Sequence, residues 1–216
     1  RRATGDDRVL PLSTAWTFSM ESCRRHVLES VIERFGVDHH GQPPEVDVVG
    51  FSMGGLVARY AALPPRPEHA TDKDGELPTL RIARLFTVAT PHRGAQLAPI
   101  PPLHARVVAM RPGSEFLSYL DTAGADAPAV TQPNSHDAVE VRLGYPIVAY
   151  GVTPDHIVGA ASATPSDRPP HWIDPPLVTL SPHISALKDP RVAADLILRL
   201  VDQPPLTTDP PAPLPD

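Results

Sequence analysis

Val48-Val49-Gly50-Phe51-Ser52-Met53-Gly54-Gly55 is the stretch on which the reading of this chain turns. Val46-Asp47-Val48-Val49 predicts a short buried strand, and Gly54 to Leu63 a helix. Between them stands a G-x-S-x-G sequence. Gly50 and Gly54, two residues before and two after Ser52, let a strand turn sharply into a helix without a Cβ clash. Such a turn holds the serine in a strained pose with its Oγ exposed. The N–H of Met53, at the start of the helix, then faces the place where an oxyanion develops. A serine hydroxyl is a weak nucleophile. It needs a general base, and the base needs a carboxylate to orient it.

The neighbouring segments supply a scaffold for that turn. Upstream, Ser13 or Thr14 can cap a helix running to about Phe35, with Trp16, Met20, Cys23, Val27, Val31 and Phe35 as its apolar stripe. Gly36 sits where a helix end favours glycine. Downstream, Ile82–Val88 and Pro146–Tyr150 read as strands, and Val178–Leu180 as a possible fourth. Residues 64–79 read as a proline-rich surface excursion and 160–176 as loop. Pro190 opens a last helix whose apolar face is Val192, Leu196, Ile197, Leu200 and Val201. Strands separated by helices predict parallel pairing. The fold class expected is α/β, a mostly parallel sheet flanked by helices. Residues 1–202 form the expected domain, and the Pro-rich 203–216 a disordered tail.

Where a serine elbow of this kind serves catalysis, the chain order is serine, acid, histidine. Asp155 follows the strand at Pro146–Tyr150, in a loop shaped by Gly151 and Pro154. Asp174 is the alternative acid, and Asp167 a weaker one. His183 follows the fourth candidate strand and precedes the last helix. His92 comes too early in the order, His156 adjoins the acid, His171 lies among prolines, and His39 and His40 precede the elbow. Ser52, Asp155 and His183 are therefore the expected catalytic set.

These segments resemble the lipase and esterase branch of the α/β-hydrolase superfamily. Val48 to Tyr60 looks like its nucleophile elbow and helix. Thr87-Val88-Ala89-Thr90-Pro91-His92-Arg93-Gly94 looks like the T-P-H-x-G stretch after its next strand. Gly151 to Val158 and Pro182-His183 look like its acid and histidine loops. The resemblance implies a serine-dependent carboxylic ester hydrolase working through an acyl-enzyme. Its substrate would be a small-molecule or lipid ester, and no cofactor or metal is implied. It implies a structural role for His92. It places residues 95–140 as a small helical cap or lid insertion, with patches at Ala105–Met110 and Glu115–Leu120. There Leu97, Ile100, Leu103, Val107, Val108, Met110, Phe116 and Leu117 line an acyl pocket or serve as ordinary core. The family also has an upstream strand and a His-Gly-type loop that donates a second hydrogen bond to the oxyanion. Nothing ahead of Thr14 matches them, so the expectation is a longer hydrolase cut short at its N-terminal strands. Acyl transfer or amide hydrolysis on the same residues, and a non-catalytic module of hydrolase fold, are the rival readings.

Composition narrows the field further. A net charge of -6 gives no electrostatic reason to expect nucleic acid. Cys23 is the single cysteine, which excludes an intrachain disulfide and any cysteine-based zinc cluster. No apolar run approaches the ~18 residues of a membrane span. Compartment and oligomeric state stay open.

Overall fold

The computed structural model describes residues 8–64, 66, 77–95, 105–125, 144–165, 170–174, 182–207 and 213–215. The elements run α1 (Met20–Phe35), β1 (Val46–Phe51), α2 (Met53–Ala61), β2 (Ile82–Val88), α3 (Ala105–Ala109) and α4 (Glu115–Ala125). There follow β3 (Ile147–Val152), β4 (His171–Ile173), α5 (Pro182–Ser185) and α6 (Pro190–Leu200). The four strands form one parallel sheet in the order β1-β2-β3-β4. This is the α/β class expected from the alternation of strand and helix.

Side-chain alternation along the strands sorts the core into two faces. Val46 and Val48 of β1 and Leu85 of β2 pack with Leu28, Val31 and Ala58, beneath α1 and α2. Phe86 and Val88 of β2, Tyr150 and Val152 of β3 and Ile173 of β4 meet Val192, Leu196 and Leu200 of α6 on the other face. Each fully buried aliphatic or aromatic side chain contributes ~1.5–3 kcal/mol, so these two layers dominate the stability. Right-handed crossovers that step one way across a sheet put their helices on one side. Accordingly, Phe116, Leu117 and Leu120 of α4 join Leu56, Val57 and Tyr60 of α2 in a third cluster with Met20 and Cys23 of α1.

Three expectations are corrected. The first helix begins at Met20, not near Thr14. Ser19 accepts from the Ser22 N–H at 3.0 Å, and the Ser22 hydroxyl accepts from the Ser19 N–H at 2.9 Å. This reciprocal capping box stops the helix there, and Trp16 falls outside the stripe, 89% exposed. The fourth strand is His171–Ile173, within the stretch read as loop; Val178–Leu180 lies outside the described residues. The region after Gln203 also has fixed parts. Leu214 is 2% exposed within the α6-side core, and its N–H bonds to the Trp172 carbonyl at 3.1 Å. Phe116 and Leu117 join the core, one of the two roles the sequence leaves open for them, and Phe116 also borders a groove. Leu97, Ile100 and Leu103 lie outside the described residues.

Candidate active site

Strands that run parallel end together, so residues just past their C-terminal ends share one rim of the sheet. Ser52 follows β1, Asp155 lies three residues past β3, and His183 lies in α5, the first helix described after β4. The fold brings all three side chains together. Ser52 Oγ is 2.9 Å from His183 Nε2, and His183 Nδ1 is 2.8 Å from Asp155 Oδ2.

Each member is fixed by its local backbone. Ser52 has φ 51° and ψ −127°, a left-handed conformation that costs a non-glycine residue ~1–3 kcal/mol. Its surroundings over-determine that pose. The Ser52 N–H bonds the Val88 carbonyl at 2.8 Å, and the Ser52 carbonyl accepts from Thr90 Oγ1 at 2.8 Å. Asp155 Oδ1 accepts the N–H groups of Ile157 (2.8 Å) and Val158 (3.1 Å), which leaves Oδ2 for the imidazole. Burial pushes the Asp155 carboxyl up. The hydrogen bonds from His183, Ile157 and Val158 outweigh that and hold it below the ordinary carboxylate value. It is therefore an anion at neutral pH and an acceptor only. The Nδ1 of His183 must then carry the proton, and Nε2 is free to accept from the serine. The Phe51 ring packs on the imidazole with centroids 5.2 Å apart.

The elbow glycines divide differently from the expectation. A Cβ on Gly50 would lie 2.6 Å from the backbone of Gly55, so glycine is required there. A Cβ on Gly54 would meet nothing within 4 Å, whereas one on Gly55 would lie 2.4 Å from Thr90 Oγ1. The close approach of α2 to the loop after β2 falls on Gly55. Met53 opens α2, and the first four N–H groups of a helix have no partner within it. Its N–H therefore belongs to the positive end of the helix beside Ser52.

The other candidates sit elsewhere. His92 is fully buried. Arg59 Nη1, which can only donate, meets its Nδ1 at 3.3 Å, so Nε2 carries the hydrogen and donates to Thr87 Oγ1 at 3.1 Å. Burial, and then the Arg59 cation, push its pKa well below the usual histidine value. Neutral and clamped, it braces α2 against β2. His171 lies in β4 with its ring 5.6 Å from that of Tyr150. Asp174 follows β4, with its carbonyl accepting from Arg191 at 2.9 Å, and Asp167 lies outside the described residues. Thr90, Phe51 and Gly55 are the site residues that the sequence reading did not single out. All three lie inside or beside the elbow and the T-P-H-R-G stretch, which is the one signal that could have found them. Among the described residues no cluster of histidine, cysteine and carboxylates has the makings of a metal site.

Residues 20–122 match a family described as "Putative serine esterase (DUF676)". The match spans α1 through most of α4 and includes Ser52; Asp155 and His183 lie beyond it. None of the curated proteins compared with the chain matches it. Among solved structures, the chain is similar to the phospholipase PlaB from Legionella pneumophila at 12% identity, covering 80% of this chain and 44% of that one with a TM-score of 0.49. The same phospholipase in complex with thio-NAD gives 14% identity, 72% and 35% coverage and a TM-score of 0.45. The esterase domain of a Rhodothermus marinus protein gives 15% identity, 87% and 68% coverage and a TM-score of 0.40. The chain thus spans less than half the length of the two phospholipase chains. The family match covers just under half of the chain, and the described fold is a parallel sheet flanked by helices.

Proposed function

We propose that this chain is a carboxylic ester hydrolase that works through a Ser52 acyl-enzyme. One observation carries the reading: an unbroken hydrogen-bonded line from Ser52 Oγ through both nitrogens of His183 to a buried Asp155, with distances of 2.9 and 2.8 Å. Ser52 Oγ attacks the ester carbonyl as His183 Nε2 takes its proton. The C–O double bond becomes a tetrahedral oxyanion, which the Met53 N–H stabilises. The oxyanion collapses, the leaving alcohol departs with the proton from His183, and an acyl-serine ester remains. Water, deprotonated by His183, then attacks that ester. The acid leaves and the proton returns to Ser52. Asp155 stays ionised throughout. It holds the imidazole in the Nδ1–H tautomer and stabilises the imidazolium that forms twice in each cycle.

The test is turnover of a p-nitrophenyl ester together with labelling by a fluorophosphonate probe. The unaltered chain is expected to do both. Ser52→Ala is expected to lose labelling and on the order of 10⁶ in kcat, because a nucleophile and its base act as one unit. Equal turnover by the two proteins removes the proposal. Labelling without ester turnover points instead to transfer to another acceptor, and absence of labelling to a non-catalytic module.

A further inference from the structure

The two most exposed large apolar side chains described in this molecule stand two residues apart in sequence, at a place the fold makes meaningful. Trp16 is 89% and Phe18 81% exposed, immediately ahead of α1. The direction of α1 fixes where they are. Its last residue, Phe35, packs against the cluster that takes in Val46 and Ile82, where β1 and β2 begin. Its first residue, Met20, packs in the cluster that takes in Met53, the residue after Ser52. The start of α1 therefore lies at the same rim of the sheet as Ser52, Asp155 and His183.

Around the aromatic pair the surface is apolar and cationic. The Arg106 guanidinium donates to the Thr14 carbonyl at 2.9 Å, which brings α3 against the segment that carries Trp16. Val108 of α3 is 42% exposed. A groove of about 550 Å³ opens there, lined by Met20, Ala105, Val108, Ala109, Arg111 and Phe116 among others. Glu21 in this groove is engaged by Arg24 at 3.2 Å, and Glu115 by Arg66 at 3.5 Å. Arg106 and Arg111 make no ion pair among the described residues.

We infer that Trp16 and Phe18, with Arg106 and Arg111, form a docking surface for an anionic phospholipid bilayer. A Trp–Phe pair in water gains by moving its rings into the interfacial layer, where indole keeps a hydrogen-bonding edge wet. Two guanidinium groups beside it, with no carboxylate partner among the described residues, match phosphate-bearing headgroups. The chain's net charge of -6 makes that local pairing, rather than long-range attraction, the source of selectivity. Docking at this rim brings the Ser52 side of the sheet to the lipid. The inference thus gives the proposed hydrolase a substrate presented in an aggregate, and to that extent rests on that reading.

Binding is best measured on the Ser52→Ala chain, so that no lipid is consumed and the result does not depend on catalysis. Co-sedimentation is run with vesicles of phosphatidylcholine alone and of phosphatidylcholine mixed with phosphatidylglycerol, with tryptophan emission recorded in parallel. The expected results are preferential binding to the mixed vesicles and a blue shift of emission, lost in Trp16→Phe, where only Trp172 remains to report. Trp16→Ala/Phe18→Ala is expected to lower affinity more than ~10-fold. Arg111→Gln is expected to cost roughly 5-fold on mixed vesicles and little on the neutral ones. Both exposed aromatics can be replaced without touching the core, and thermal melting checks that the fold persists. No binding by the parent chain overturns the inference, as does undiminished binding by the double variant. A concentration-dependent dimer that the double variant abolishes, without vesicle binding, assigns the patch to a second copy instead. Ester turnover without vesicle binding refutes the docking surface alone; vesicle binding without turnover refutes the hydrolase alone.

Discussion

Gly54 and Gly55 are neighbours at the start of α2, yet only the second is held by its surroundings. Gly55→Ala drives a methyl toward Thr90 Oγ1 at 2.4 Å, and Thr90 is the residue that holds the Ser52 carbonyl. Overpacking of this kind costs ~1–3 kcal/mol, and here it also slackens the elbow. Gly54→Ala meets open space and gains helix propensity of up to about 1 kcal/mol. Melting curves and fluorophosphonate labelling are expected to separate the two: Gly55→Ala loses stability and labelling, and Gly54→Ala keeps its stability. The letters of G-x-S-x-G point to Gly54 and pass over Gly55, because a motif records spacing along the chain and not the approach of a second strand's loop. His92 gives a further expectation. Burial keeps its imidazole neutral in the fold, while the unfolded chain takes up the proton below about pH 6.5. The unfolded state then binds more protons, so stability present above that pH is lost as pH falls, by up to ~1.4 kcal/mol per unit for this one group. Denaturant melts between about pH 7 and 5 are expected to show a shallower slope in His92→Gln than in the parent. Equal slopes would contradict the assignment.

At the scale of the element, strong periodicity was legible and weak periodicity was not. β2 was read at its observed bounds, and α6 starts at the proline expected to open it. α1 was misplaced at its start because Trp16 stands four residues before Met20, in step with the stripe. The Ser19–Ser22 box satisfies the free N–H groups there and overrides the spacing. β4 escaped because three residues, His171-Trp172-Ile173, are too short for alternation to register. The apolar face of α6 was legible, but its polar anchor was not, since that rests on one buried carboxylate. Asp195 is fully buried and accepts from the Tyr150 hydroxyl at 2.6 Å, Arg199 Nε at 2.9 Å and the Leu206 N–H at 2.7 Å. Burial first, and then Asp195, push the Tyr150 phenol far above its ordinary value, so it stays a donor. Asp195→Ala takes the acceptor from the buried Tyr150 hydroxyl and removes a buried carboxylate from Arg199. The expected loss is ~3–5 kcal/mol, read as an earlier urea midpoint, with Asp195→Asn intermediate.

For the molecule as a whole, the alternation of strand and helix made the class of fold legible, and the elbow motif with the order of the later segments singled out the three side chains that the fold brings together. Ser52 and His183 are far apart in sequence, and what unites them is the shared direction of the strands. The covering of the sheet was not legible, because which face a helix lands on depends on crossovers that no short pattern encodes. That covering is uneven. α6 spans β2, β3 and β4, while Val49 of β1, on the same face, stays 48% exposed. Among the described residues β1 pairs only with β2. The strand that leads into Ser52 is thus an edge strand of the described sheet, and an edge of this kind can template the backbone of a neighbouring molecule. Concentrated solutions are expected to seed cross-β aggregates from this rim. Val49→Lys, a charge on an already exposed site, is expected to delay thioflavin-positive assembly while leaving the melting temperature nearly unchanged.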